Sequence, residues 1–346
     1  MDIHVNLWYF PSMQMELNHP LSALQKAVVT LALSGGSVID WSRLHFATGE
    51  EIARFLKINE FDLSREKDAK RLVAIYDEAI NYLKNQLHLE IPLKVSKPED
   101  VVTLFLINSK NKKLQKSACS ILKTMNIISH LDGRELLYNC PISLRDLFSL
   151  VEDKVERVLS SLTRNDSTLL RYEGGRKSKE SLITKLLSKR ETIAAQINDR
   201  VRYRIITRTQ EDMIEVMLRL FETILPFNYV IPGGSVNQLI PFKSHSKIFA
   251  MSKAFKDHLP TSQHRDYSGR NYKVCKFVVD IPIRMDNFLA TSGGSAYRES
   301  LGTITYVLVE FQIVDEKTAL QNNEGDNSHE NYKNRQKMGV VKRLLG

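Results

Sequence analysis

The sequence predicts an α+β protein. An all-helical part covers residues 1–165, and a part built on a mixed β-sheet flanked by helices covers residues 166–346. Three observations predict it. Apolar residues recur at helical spacing in one segment after another up to about Leu162. The composition changes near Thr163, with Arg164-Asn165-Asp166-Ser167 as the joint. Beyond it, the runs 201–207, 274–283 and 303–314 are rich in Val, Ile, Phe and Tyr and read as strands. At about 150 residues per domain, 346 residues also suggest two units.

Pro20 opens a helical pattern through Leu33 that stops at Gly35-Gly36. Thr48-Gly49-Glu50-Glu51 has capping-box spacing before Ile52, Phe55 and Leu56. Ser64 starts a long segment with Leu72, Ile75, Ala79, Tyr82 and Leu83 on one face. Lys97-Pro98-Glu99-Asp100 places proline and acids where helix starts prefer them. Further helices are predicted over about 112–129 and 143–162, with Asp132-Gly133 as a turn between them. In the second half, Gly175-Arg176-Lys177 is expected to open a helix. Thr209, with Asp212 three residues on, caps a helix whose apolar face is Met213, Val216, Met217, Leu220, Phe221 and Ile224. Residues 232–270 are irregular, and so long a loop inside a domain is usually functional.

Charge is unevenly placed. Residues 1–165 carry 21 Lys+Arg against 20 Asp+Glu, so the remaining 28 and 20 put nearly all of the +9 excess in the second half. Residues 171–208 alone hold 11 basic and 4 acidic side chains. That field suits a polyanion, nucleotide phosphates or nucleic acid, although a solvated basic surface gives the same numbers. The apolar content, 42%, excludes wholesale disorder. No stretch approaches the ~20 apolar residues of a membrane span. The N-terminus lacks the features of a signal peptide. Cys119, Cys140 and Cys275 have no metal-binding spacing and cannot all pair, which fits a reduced, cytoplasmic protein.

Several function classes have no starting motif. The chain contains no GxxxxGK[ST], HExxH or GxSxG, and no His directly precedes an Asp. What remains is polar residues on and near the predicted strands. Lys177 and Lys185 belong to a basic helical segment, which reads either as a plain exposed helix or as one that holds phosphates. Asp199 begins the strand that contains Arg204, and five residues apart the two lie on opposite faces of a regular strand unless a bulge intervenes. Glu310 and Gln312 share one face of an otherwise apolar strand, where a carboxylate is costly unless paired or bound to metal. A sheet face open to water is the other reading of that pair.

Taken in order over about residues 170–335, these pieces resemble the synthetase domain of the RelA/SpoT family. The resemblance rests on Lys177, Ser181 and Lys185, on Asp199-Arg-Val-Arg-Tyr-Arg204, on Glu310-Phe-Gln312-Ile313 and on His329-x-x-Tyr332-Lys333. It implies a nucleotidyltransferase fold related to DNA polymerase β over 166–346, with 1–165 as a helical accessory or regulatory domain. It implies a pyrophosphokinase that moves pyrophosphate from ATP, with Mg²⁺, to the 3′-hydroxyl of GDP or GTP. In that family pattern Asp199 and Glu310 hold the metal. Glu310 and Gln312 serve catalysis, and Arg176, Lys177, Lys185 and Arg204 hold the donor phosphates. Tyr272, His329 and Lys333 face the acceptor. The guanine-binding segment departs from the pattern. Arg270-Asn-Tyr272-Lys-Val-Cys-Lys276 keeps only the tyrosine, and Lys276 stands where the family has histidine. The stretch 243–276, with 8 basic and 2 acidic residues, makes an RNA end an alternative acceptor. A catalytically degenerate member that binds nucleotide or RNA as a sensor is the other reading. No membrane partner is expected, and oligomerisation is compatible with the sequence.

Overall fold

The computed structural model describes residues 21–40, 46–98, 100–140, 142–165, 167–188, 200–241, 267, 269, 271–291 and 300–346. Helix α1 (Ala23–Ser34) begins where Ser22 and Gln25 cap one another reciprocally. It ends at Gly35, whose φ of 69° is a conformation that glycine adopts without strain. Helices α2 (Gly49–Ile58) and α3 (Glu66–Asn85) come next, with Thr48 capping α2 as the sequence predicts. After the short α4 (Leu93–Ser96) and α5 (Thr103–Lys110) come α6 (Gln115–Asn139) and α7 (Leu144–Asn165).

The Asp132-Gly133 pair does not turn the chain; α6 runs through it. The reason is packing. A Cβ built on Gly133 would lie 2.4 Å from the Tyr306 ring and 2.6 Å from the Ile304 carbonyl oxygen. Glycine is there to let α6 press against a strand.

A second correction concerns residues 169–176. They form strand β1 (Leu169–Arg176), not the start of a helix, and α8 (Lys179–Ser188) begins only afterwards. Strand β2 (Val201–Thr207) matches its prediction, and α9 (Gln210–Thr223) carries the expected reciprocal cap between Thr209 and Asp212. Then come β3 (Val236–Asn237), β4 (Cys275–Arg284), α10 (Asp286–Thr291) and β5 (Ile304–Asp315). Helices α11 (Glu316–Asn323) and α12 (His329–Leu345) complete the described chain.

The five strands form one mixed sheet in the order β1-β2-β5-β4-β3. β2 and β5 are parallel, and the other pairs are antiparallel. Strand side chains alternate between faces, so register fixes which residues meet. One face carries Tyr203, Phe311 and Phe277 side by side on β2, β5 and β4, with Phe221 of α9 stacked 5.6 Å from Phe277. Helices α7 and α9 cover this face. The other face is divided. At the start of β5, Tyr306 and the fully buried Asp280 lie under α6, bonded to Ser129 and His130 respectively. Further along β5, beyond α6, lie Glu310 and Gln312.

The apolar core is continuous from α1 to α11, so the helical half packs directly on the sheet. The sequence change near Thr163 marks the passage from α7 to β1. A cluster of charges adds to this seam. Arg284 of β4 donates to both oxygens of Asp68 of α3 at 2.6 and 3.1 Å, and Lys154 of α7 bonds Glu60 and the Pro282 carbonyl. All three cysteines are free and buried. No helix among the described residues is long and apolar enough to cross a membrane.

Candidate functional site

The register of three strands builds the site. In the parallel pair, Arg202 lies beside Glu310 and Arg204 beside Gln312. On the other flank, Lys276 of β4 lies beside Gln312. All five side chains therefore share the face left beyond α6. β1 adds Glu173 opposite Arg204, and glycines at 174 and 175. The close approach is specific at Gly174, where a Cβ would lie 2.3 Å from the Tyr203 ring.

The basic side of this face is strained electrostatically. Arg204 Nη1 makes a long 3.5 Å contact with Asn323 Oδ1. Its Nε and Nη2 are shut off from solvent with no hydrogen-bond acceptor. An unpaired buried donor costs about 1–3 kcal/mol, more when charged. His329, at the start of α12, reports the same field. Its pKa is held below the ordinary 6.5, first by burial and then by the positive charges of Lys333, Arg202, Arg204 and Lys177. Thus cations of β2, α12 and the segment after β1 all act on the charge of one imidazole. The His329 ring also stacks on Tyr332, centroids 6.5 Å apart.

The acidic side is already neutralised. Glu310 is 5% exposed. Gln312 Nε2 donates to its Oε1 at 2.6 Å, and Lys276 Nζ lies 3.2 Å from its Oε2. Magnesium demands oxygen ligands in near-octahedral geometry. Here one carboxylate oxygen accepts from Gln312 and the other is ion-paired with Lys276. Among the described residues no group of three or more His, Cys, Asp or Glu is arranged to hold a metal. In this arrangement both oxygens of Glu310 are taken by Gln312 and Lys276, and neither is open to a divalent cation.

The other expected residues are spread around this face. Asp199 lies outside the described residues, and so does most of the basic stretch 243–276. Arg176 is on the opposite face, because it pairs with Val201 rather than with Arg202. Its guanidinium is engaged by both oxygens of Glu152 on α7, at 2.8–3.0 Å, and so does not join the site. Lys185 sits in the last turn of α8, which packs against α12. Tyr272 lies just ahead of β4, where Asn322 of α11 bonds both the N–H and the carbonyl of its neighbour Lys273.

Two members of the site are not among the residues that the sequence singles out. Arg202 is legible from alternation alone, since it shares the parity of Arg204. Lys276 stands out in the sequence only as a departure from a histidine. Its meaning depends on the β4–β5 register, which no local pattern gives.

No protein-family model matches the chain, and no curated protein matches it. Among solved structures, the chain is similar to the small alarmone synthetase 1 of Bacillus subtilis bound to its product pppGpp. Identity is 15%, with 58% of this chain and 87% of that chain covered, at a TM-score of 0.32. It is similar to the small alarmone synthetase 2 of Bacillus subtilis at 14% identity, with 61% and 91% covered and a TM-score of 0.31. It is also similar to a GTP pyrophosphokinase family protein of Streptococcus pneumoniae, at 14% identity, with 57% and 85% covered and a TM-score of 0.26.

Proposed function

We propose that this chain is a nucleotide pyrophosphokinase-like protein that binds the polyphosphate of a nucleoside triphosphate, ATP, on the face formed by β2, β5 and β4. One observation carries the reading. Arg204 keeps two guanidinium nitrogens buried and unpaired within a cluster of like charges. A phosphate chain supplies the acceptors that Arg204 lacks once its guanidinium turns toward the ligand, and offsets the positive charge of Arg202 and Lys333. Arginine's planar fork suits two phosphate oxygens at once. The test is equilibrium dialysis of labelled ATP, with AMP as the comparison. Saturable ATP binding that AMP does not match supports the reading. No saturable binding by folded protein refutes it.

Once ATP is bound, two outcomes are open, and each has its own supporting observation. Transfer of pyrophosphate to a 3′-hydroxyl, of GDP, GTP or an RNA end, draws support from Glu310 and Gln312 lying in register with Arg202 and Arg204. In this reading Glu310 faces the acceptor and Asp199 completes the acidic pair. Binding without transfer, as a nucleotide sensor, draws support from the Lys276–Glu310 ion pair, which occupies the carboxylate that transfer needs. Thin-layer chromatography after incubation with γ-labelled ATP and GDP, GTP or tRNA separates them. Label on an acceptor establishes transfer; ATP binding with no labelled acceptor establishes the sensor.

A further inference from the structure

The pairing of Lys276 with Glu310 bears on how the phosphates are neutralised. An ammonium carries three N–H donors. The nitrogen is ion-paired with Glu310 Oε2 at 3.2 Å, while Gln312 holds the other oxygen of the same carboxylate. Lys276 is thereby fixed at the edge of the cationic face, with its side chain still 22% exposed. Arg204 and Lys276 flank Gln312 from the two neighbouring strands. Strand spacing places their backbones roughly 10 Å apart, within the span of a triphosphate and two extended side chains. The face thus presents Arg204 and Lys276 on either side of Gln312, with Arg202 one step along β2 beside Glu310, the counter-charge paired with the lysine.

We infer that Lys276 supplies, as a fixed part of the chain, the positive charge that a divalent cation would otherwise bring, so that ATP binds this face without metal. Glu310 is then a positioning residue for Lys276, not a metal ligand. This inference rests on the nucleotide-binding reading above.

The test measures ATP affinity by equilibrium dialysis in excess EDTA and again in millimolar Mg²⁺, for the wild type, Lys276→Met and Lys276→Arg. For the wild type the two dissociation constants are expected to agree within about threefold. Lys276→Met is expected to lose at least tenfold in EDTA and to recover part of that loss with Mg²⁺, because the released carboxylate becomes available. Lys276→Arg keeps the charge and is expected to stay metal-independent. Lys276→Met leaves Glu310 buried without its cation. If that variant does not fold, Lys276→Met combined with Glu310→Gln replaces it, and the double variant is expected to lose affinity in EDTA equally. Wild-type binding that falls tenfold or more in EDTA overturns the inference while leaving the nucleotide-binding reading intact. A Lys276→Met variant, or the double variant, that binds like the wild type in EDTA also overturns it. Absence of ATP binding in both buffers overturns the two together.

Discussion

Replacing Arg204 by methionine should move stability and binding in opposite directions. In the free protein the guanidinium makes one 3.5 Å contact and keeps two nitrogens buried without acceptors. It also stands in the field of Arg202, Lys177 and Lys333 that lowers the His329 pKa. Methionine fills a similar volume and needs no acceptor. Removing even one unpaired donor should recover about 1 kcal/mol, the low end of what an unsatisfied buried group costs. For a chain of this size that corresponds to a rise in Tm of roughly 2 °C. In the complex the same change removes charge-assisted bonds worth about 1.5–3 kcal/mol each. A loss of about 3 kcal/mol in total weakens ATP binding roughly 100-fold. Differential scanning calorimetry and equilibrium dialysis on the same preparation read both effects. A variant that is less stable by more than about 1 kcal/mol and binds ATP as the wild type does would show that Arg204 is a structural residue.

The geometry also sets the outcome of three other perturbations. Gly133→Ala places a methyl group against the Tyr306 ring and the Ile304 carbonyl, and should cost about 2–3 kcal/mol of stability by overpacking. Urea denaturation with unchanged slope and a lowered midpoint is the expected result, and an unchanged midpoint speaks against the α6–β5 contact. Arg284→Met leaves Asp68 nearly buried without its cation and should cost about 3 kcal/mol, again read by urea denaturation. His329 titrates below 6.5 in the free protein, so the unfolded chain binds its proton more tightly and this group costs stability as pH falls below that value. Bound phosphate offsets the neighbouring cations and should raise its pKa, so ATP binding takes up a proton and tightens as pH falls between the bound and free values. The imidazole resonance of His329, monitored by NMR titration with and without ATP, should shift upward; an unmoved titration separates His329 from the phosphate.

Much of the fold is legible in the sequence because local signals agree with tertiary packing. The αL glycine at 35, the Thr209–Asp212 cap and the β-branched run of β2 each state their structure within a few residues. The misreadings share one cause. Gly133 looks like a turn residue until Tyr306, 173 positions later, is known to press on it. Gly174 and Gly175 hide β1 for the same reason, since the ring that lies on Gly174 belongs to the next strand. The site divides likewise. Residues that share a strand, such as Glu310 with Gln312 and Arg202 with Arg204, are paired by alternation. The family resemblance implies a phosphate role for Arg176, but the β1–β2 register turns it to α7. The partnership of Lys276 with Glu310 depends on the same kind of long-range information.

The most direct measurement is a crystal structure of the chain with a non-hydrolysable ATP analogue. Phosphate oxygens are expected about 3 Å from Arg204 Nε and Nη2, the guanidinium having turned toward the nucleotide, with Arg202 of β2 and Lys276 of β4 on the same face. Nucleotide bound elsewhere, with those two nitrogens still lacking acceptors, would contradict a phosphate site at Arg204.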